Sequence, residues 1–292
     1  GFHRYAVDAV WLVPHFEKML YDNALLSRVY VLAYQASGNP LFRRIAQEAI
    51  DYVLREMTSP DGGFYATQDA DSEGEEGKFY LWTPEEIESI LGPEQARVVM
   101  RYFGVRPGGN FEGKSILYIP HEPRQVAAEL EIDPDELERI VADARKKLYE
   151  ARARRVWPGR DEKVITSWNG LMLRALAEAA TALGRDDYAV AATRNAEFLR
   201  ATVARDGHLF HVYKDGRAKI EGLLEDYAYL INGLVSLYEA TFEARWIAWA
   251  RELAETMLAE FSDPEQGDFF DTSVRSEALV ARPKGLFDSA TP

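Results

Sequence analysis

Thirteen residues near the start of the chain, Trp11 to Asn23 (WLVPHFEKMLYDN), hold six side chains able to do chemistry: His15, Glu17, Lys18, Tyr21, Asp22 and Asn23. A histidine beside carboxylates can move protons, and lysine and asparagine can hydrogen-bond a polar ligand. The same crowd also fits a network of helix caps and ion pairs. Four more stretches carry reactive types. DADSEGEEGK supplies Asp69, Asp71, Glu73, Glu75 and Glu76, with Tyr80 and Trp82 just behind as rings that could stack on a sugar. RRVWPGRDEKVITSWNG supplies Asp161, Lys163, Trp168 and Asn169. Glu225, Asp226 and Tyr227 form a third group, and Asp271, Arg282, Lys284 and Asp288 a fourth, in which Arg282 and Lys284 could hold an anionic group or pair with Asp288.

The acidic run imitates a calcium loop, but Tyr80 stands where a bidentate glutamate is required, so a solvated acidic turn competes with ion binding. His3, His121, His208 and His211 lack metal spacing and are expected to be structural or surface residues. No phosphate loop, nucleophile elbow, metal site or cofactor is expected.

The elements that must position these groups emerge from a repeat. Asn23, Asn169 and Tyr227 open three apolar segments that align without a gap, and nineteen residues on each has an aromatic: Phe42, Tyr188, Trp246. Each then continues into a second segment with apolar residues spaced i, i+3, i+4, i+7, the mark of an amphipathic helix. The unit is an inner helix, a turn, an outer helix and a small extended hairpin. Inner helices that are apolar nearly all round predict an all-α, toroid-type barrel rather than an open solenoid. Asp22, Trp168 and Asp226 share one repeat position, at inner-helix starts that converge on one end. Asp22 and Asp226, with His15 and Glu225, are therefore the expected acid–base groups for a sugar. Glu17, Lys18, Asn23, Asp69, Asp71, Tyr80, Trp82, Asp161, Lys163, Trp168, Asn169, Tyr227 and Arg282 are expected to bind substrate. The competing expectation makes Asp22 and Asp226 helix N-caps.

Residues 1–292 are expected to form one barrel region, with about 66–158 as an elaborated repeat or insertion. A net charge of −14 argues against nucleic acid, and no apolar run reaches membrane-spanning length. The chain has no cysteine, which excludes disulfides and thiol chemistry and fits a cytoplasmic setting. It starts at Gly1 without Met and is expected to be a piece of a longer chain.

The motifs WLVPHFEKMLYDNALL, GGFYATQDADSEGEEGKFYLWTPEEI, GNFEGKSIL, DEKVITSWNGLM, LLEDYAYLINGLVSLYEAT and RPKGLFDSATP together resemble the YyaL-like, spermatogenesis-associated-protein-20-like family nearly end to end. That resemblance implies an (α/α)6 barrel of the six-hairpin glycosidase type, similar to N-acylglucosamine and cellobiose 2-epimerases. It also implies an N-terminal thioredoxin-like domain, which this sequence lacks, together with its cysteines. The implied function is a carbohydrate-active barrel, an epimerase, isomerase or hydrolase. The alternative is a non-catalytic sugar- or protein-binding scaffold partnering the thioredoxin-like domain.

Overall fold

A computed structural model describes residues 1–277, 280–285 and 290–291. Ten helices are described: α1 (Leu20–Ser37), α2 (Pro40–Glu56), α3 (Pro84–Leu91), α4 (Pro93–Tyr102), α5 (Pro123–Glu129), α6 (Pro134–Arg152), α7 (Thr166–Leu183), α8 (Asp186–Thr202), α9 (Leu224–Thr241) and α10 (Ala244–Phe261). The chain divides into two compact units. The first comprises Gly1–Phe2, Lys18–Gln68 and Arg160–Pro292; the second comprises His3–Glu17 and Asp69–Gly159.

The first unit holds the repeat. The inner helices α1, α7 and α9 are each 18 residues long, and Asn23, Asn169 and Tyr227 each stand at the fourth residue. Each packs on its own outer helix, α2, α8 and α10, and α7 lies between α1 and α9. The result is a toroid-type stack of helical hairpins, an incomplete barrel. The central position of α7 decides its burial: 13 of its 18 residues are buried, against 6 in α1 and 7 in α9. The outer helix α2 shows the expected contrast, with Ala46, Ala49, Ile50 and Val53 buried and Arg43, Arg44, Glu48 and Arg55 outside the core.

Two glycines let α7 and α9 meet. A Cβ at Gly170 would fall 2.6 Å from the Leu230 nitrogen, and one at Gly233 would fall 2.8 Å from the Gly170 carbonyl oxygen. Each inner helix ends in a left-handed residue at an equivalent place, Gly38 (φ 66°), Gly184 (φ 66°) and Phe242 (φ 56°). The first two are ordinary glycine caps; the third places a side chain where glycine is favoured.

The extended hairpins follow the outer helices as the repeat predicts. After α8, strands at Ala204–Arg205 and His208–Lys214 turn through Asp206-Gly207, and the second pairs with Arg217–Glu221 through Asp215-Gly216. Both turns have positive φ at both central residues, the geometry that Asp-Gly favours in a two-residue hairpin. The other edge of His208–Lys214 pairs with Val164–Ile165, just before α7.

The second unit packs α3 to α6 into small cores around Trp82, Ile87, Val99 and Ala144, and around Val98, Val126, Leu137 and Val141. Asp133 caps α6 with Pro134 in its first turn, as its sequence predicts, and Thr83 and Glu86 close a capping box on α3.

A candidate acid–base site at the inner-helix starts

The pairing of His208–Lys214 against Val164–Ile165 brings His211 beside the start of α7. Thr166 fixes that edge by donating from Oγ1 to the Phe210 carbonyl at 2.6 Å. On the other side, α9 starts at Leu224, whose N–H donates to the Asp271 carbonyl at 3.0 Å. Four side chains meet there: His211, Glu225, Asp226 and Ser167.

Asp226 is the centre of this group and is fully buried. Its carboxylate accepts from the Ser167 N–H at 2.8 Å, from the Leu223 N–H at 2.8 Å, and from His211 Nδ1 at 2.9 Å. A carboxylate only accepts, so Nδ1 carries a proton and Nε2 is left as the ring nitrogen for proton exchange. The hydrogen bond to Asp226 raises the His211 pKa above the ordinary histidine value, against the opposing effect of burial. Glu225 is pushed the same way for other reasons: burial first, then the negative charge of Asp226. Ser167 Oγ donates to Glu225 Oε1 at 3.1 Å and partly offsets that rise. Both shifts favour the protonated forms: Asp226 stabilises the imidazolium of His211, and burial with the Asp226 charge makes Glu225 ionise later than an ordinary glutamate.

Ligand atoms of His211, Glu225 and Asp226 lie within 4.8 Å of one another and could hold a cation. Asp226, however, already accepts two backbone N–H groups and the imidazole. A metal would have to displace the His211 bond, so the hydrogen-bond pattern suits proton transfer better.

Several expected residues take other roles. Asp22 and Asp226 are not N-caps; they are the third residues of α1 and α9, whose N-cap positions are Met19 and Leu223. Asp226 instead reaches back to the Leu223 N–H, as the third helical residue of a capping box does. Asn23 and Asn169 are fully buried and clamp backbone rather than substrate. Asn23 bonds both backbone groups of Phe2, at 2.7 and 3.2 Å. Asn169 does the same to Phe64, at 2.9 and 3.0 Å, and also meets Ile165 and Asn195. Tyr227, at the third equivalent position, is buried and accepts the Leu209 N–H at 3.0 Å. One repeat position thus holds backbone in all three copies, through both groups of one residue in the first two and through one N–H in the third.

Lys18 is buried with its ammonium 4.5 Å from the Tyr52 ring centre. Arg282 donates to the carbonyls of Glu260 and Thr272 and stacks on Phe270. Lys284 pairs with Asp263 and Asp268, and Asp288 lies outside the described residues. Asp161 pairs with Lys163 at 2.9 Å at a partly open edge. Trp168 is half-buried, edge-on to Tyr21 at 4.8 Å, and follows Ser167 directly, so it stands at the same end of α7 as the proton-holding group.

His15, Glu17, Asp69, Asp71, Tyr80 and Trp82 belong to the second unit. There His15 pairs with Glu76 at 2.8 Å, and Glu17 with Arg4 at 3.2 Å. Asp69 and Asp71 are exposed, and the acidic run makes a hairpin turning at Glu73-Gly74, with Lys78 paired to Glu73 and Glu75. Tyr80 and Trp82 are core residues, 9% and 2% exposed, so they offer no open face for a sugar. A tightly turned chain buried its aromatic residues where an exposed platform was expected.

Sequence reasoning passed over His211 and Ser167. No motif spacing links His211 to Asp226. The available signal was the pair of Asp-Gly turns, which make His208–Lys214 a strand with His211 at its middle.

No protein-family model matches the chain. Spermatogenesis-associated protein 20 of Mus musculus is 34% identical over 336 aligned residues, covering 100% of this chain and 42% of that protein. The Homo sapiens protein of the same name is 33% identical, with the same coverage, and an uncharacterised protein of Caenorhabditis elegans is 31% identical over 89% of this chain and 40% of its own. The chain spans less than half the length of these relatives. Among solved structures, an unsaturated glucuronyl hydrolase from Bacillus sp. GL1, responsible for the degradation of glycosaminoglycan, superposes with a TM-score of 0.52 at 13% identity, covering 93% of this chain and 54% of that one. A structure of UGL with dGlcA-Glc-Rha-Glc gives 0.51 at 13% identity, covering 89% and 52%. These likenesses establish the (α/α)6 helical-hairpin fold.

Proposed function

This chain is a homologue of spermatogenesis-associated protein 20 along its whole length, and we propose that its helical-hairpin unit performs acid–base chemistry on a sugar. The observation that carries this is the fully buried Asp226 holding His211 at 2.9 Å beside Glu225, with both His211 and Glu225 displaced toward keeping their protons. A late-ionising carboxyl is a general acid, and an imidazole oriented by a buried carboxylate exchanges protons through Nε2. Such a pair can give and take protons: epimerisation takes one from a sugar carbon and returns one to it, whereas hydrolysis gives one to the glycosidic oxygen and takes one from water. Trp168 offers a ring for the apolar face of the sugar. The solved hydrolases of this fold act on sugars, which supports the substrate class and leaves the reaction open between hydrolysis and epimerisation.

On this proposal residues 66–158 are an elaboration inserted between the first and second hairpins. We propose further that the barrel works beside a thioredoxin-like domain in a longer, cytoplasmic protein. Asp22 remains the α1 counterpart of Asp226, in a supporting place rather than as the proton carrier.

A second assignment, a non-catalytic sugar-binding scaffold, draws on the two backbone N–H groups that Asp226 accepts. The test separates them. Neutral hexoses, N-acylhexosamines and disaccharides are incubated with the protein in D2O and followed by NMR for cleavage, epimerisation or deuterium uptake at C2. Turnover is expected, lowered by on the order of 10²-fold or more in Glu225→Gln and His211→Gln, with unchanged melting cooperativity. Saturable sugar binding with no turnover in the wild type gives the scaffold assignment instead.

A further inference from the structure

A loop near the start of the second unit has no part in the acid–base group. Tyr5–Ala6 and Pro14–His15 pair as a short hairpin, with Tyr5 opposite His15. The residues joining them, VDAVWLV, have one charged side chain, Asp8, and the loop's own backbone occupies it. Its carboxylate accepts the Val10 N–H at 2.8 Å, the Leu12 N–H at 3.0 Å and the Val13 N–H at 2.5 Å. These bonds, that from Val13 first, hold the carboxyl below the ordinary aspartate value, so it stays ionised. The Val7 N–H closes the loop on the Val13 carbonyl at 2.9 Å, and Val13 packs against the core around Phe16 and Phe79. The loop is thus fixed from within, while Val7, Val10 and Trp11 are exposed.

Trp11 is 84% exposed, the most of any tryptophan in the chain, and makes no ring contact among the described residues. Its backbone is left-handed, with φ 59°, a conformation that glycine adopts freely and a bulky residue does not. Phe242 shares that backbone, but its ring meets Tyr238. Folding gains little from the Trp11 indole, so a strained backbone that displays a free ring points to binding.

Charge narrows the partner. From Tyr5 to Pro14 there is no lysine or arginine, so nothing in the loop meets a phosphate or an anionic lipid. A net charge of −14 on each chain opposes pairing of two copies through this tip. A neutral saccharide chain avoids both problems. The C–H face of a sugar ring carries slight positive charge and matches the negative face of an indole. We propose that the Trp11 loop binds a neutral oligosaccharide, one sugar stacked on the Trp11 ring with Val7 and Val10 beside it. The choice of a sugar rests on the acid–base reading above, but the loop lies in the other unit and binds without turnover.

Titration calorimetry on the whole chain tests it, with cellohexaose and mannohexaose as probes. One or both are expected to bind one to one, with an affinity little changed by salt. Trp11→Gly is expected to lose about tenfold or more in that affinity. It should melt at the same temperature as the wild type or higher, because glycine suits the backbone there. The proposal is overturned if neither hexasaccharide binds at millimolar concentration, or if Trp11→Gly binds as the wild type does. Phosphatidylcholine vesicles bound through Trp11 in place of the hexasaccharides would also overturn it, in favour of a lipid surface. So would a dimer that Trp11→Gly dissociates, in favour of a second copy. The two proposals fail separately. Sugar turnover with unchanged hexasaccharide affinity in Trp11→Gly removes the loop and keeps the acid–base reading. Trp11-dependent binding without turnover removes that reading and keeps the loop.

Discussion

At the residue scale, the account rests on protons held by neighbours. His211 is raised by Asp226, so their ion pair is fully present below the ordinary histidine value of about 6.5 and is lost as pH rises through the raised folded value. Glu225 adds to the same trend. Its folded pKa lies above its unfolded one, so the folded chain binds the extra proton and loses stability as that proton leaves. Thermal melts from pH 6 to pH 9 are therefore expected to fall more steeply in the wild type than in His211→Gln; parallel profiles would remove the ion pair. Part of this site was legible in sequence: Glu225 and Asp226 stand at a repeated helix start, where chemistry and capping both draw carboxylates. His211 was not, because its approach depends on strand pairing, and pairing partners are not written in local spacing. Tyr80 and Trp82 failed for a related reason. In a segment without periodicity an aromatic reads alike whether it faces solvent or core.

At the element scale, the three hairpins were legible almost to the residue, since inner-helix periodicity and its repeat reinforce each other. What the pattern could not assign was the purpose of the polar position 23/169/227. It is a backbone clamp, and Asn169 is its most complete form. Asn169→Ala strands the Phe64 N–H and carbonyl and the Asn195 amide inside the core, and is expected to cost about 2–4 kcal/mol in chemical denaturation. A loss under about 0.5 kcal/mol would mean that the clamp is dispensable. The opposite sign is expected at Phe242. It is 79% exposed and left-handed where Gly38 and Gly184 stand in the other copies. Phe242→Gly should relieve the strain and stabilise by about 1 kcal/mol, less the loss of its contact with Tyr238. The same melts check it, and destabilisation would show that the ring contact outweighs the backbone.

At the scale of the whole molecule, burial follows position in the stack. The middle inner helix is covered on both sides. On α1, Val29 and Leu32 remain 56% and 43% exposed although both are apolar. The sequence predicted burial for all three inner helices because it reports polarity and not the number of neighbours. Val29→Lys/Leu32→Lys is expected to change stability by less than about 0.5 kcal/mol, whereas Leu173→Lys in α7 should prevent folding. A large loss from the α1 pair would show that its face is covered in solution. Across the molecule the acid–base proposal also has one exposed consequence. Among described carboxyls with a displaced affinity for protons, Asp8, Glu129, Asp143, Asp161, Asp187, Glu260 and Asp263 are all lowered, while Glu225 is raised. The most direct measurement is a carbon-13 NMR titration of the side-chain carboxyls, with Glu225→Gln identifying the resonance. The account predicts that the signal lost in that variant titrates above the ordinary glutamate value of about 4.3. A Glu225 resonance that titrates at or below that value would contradict it.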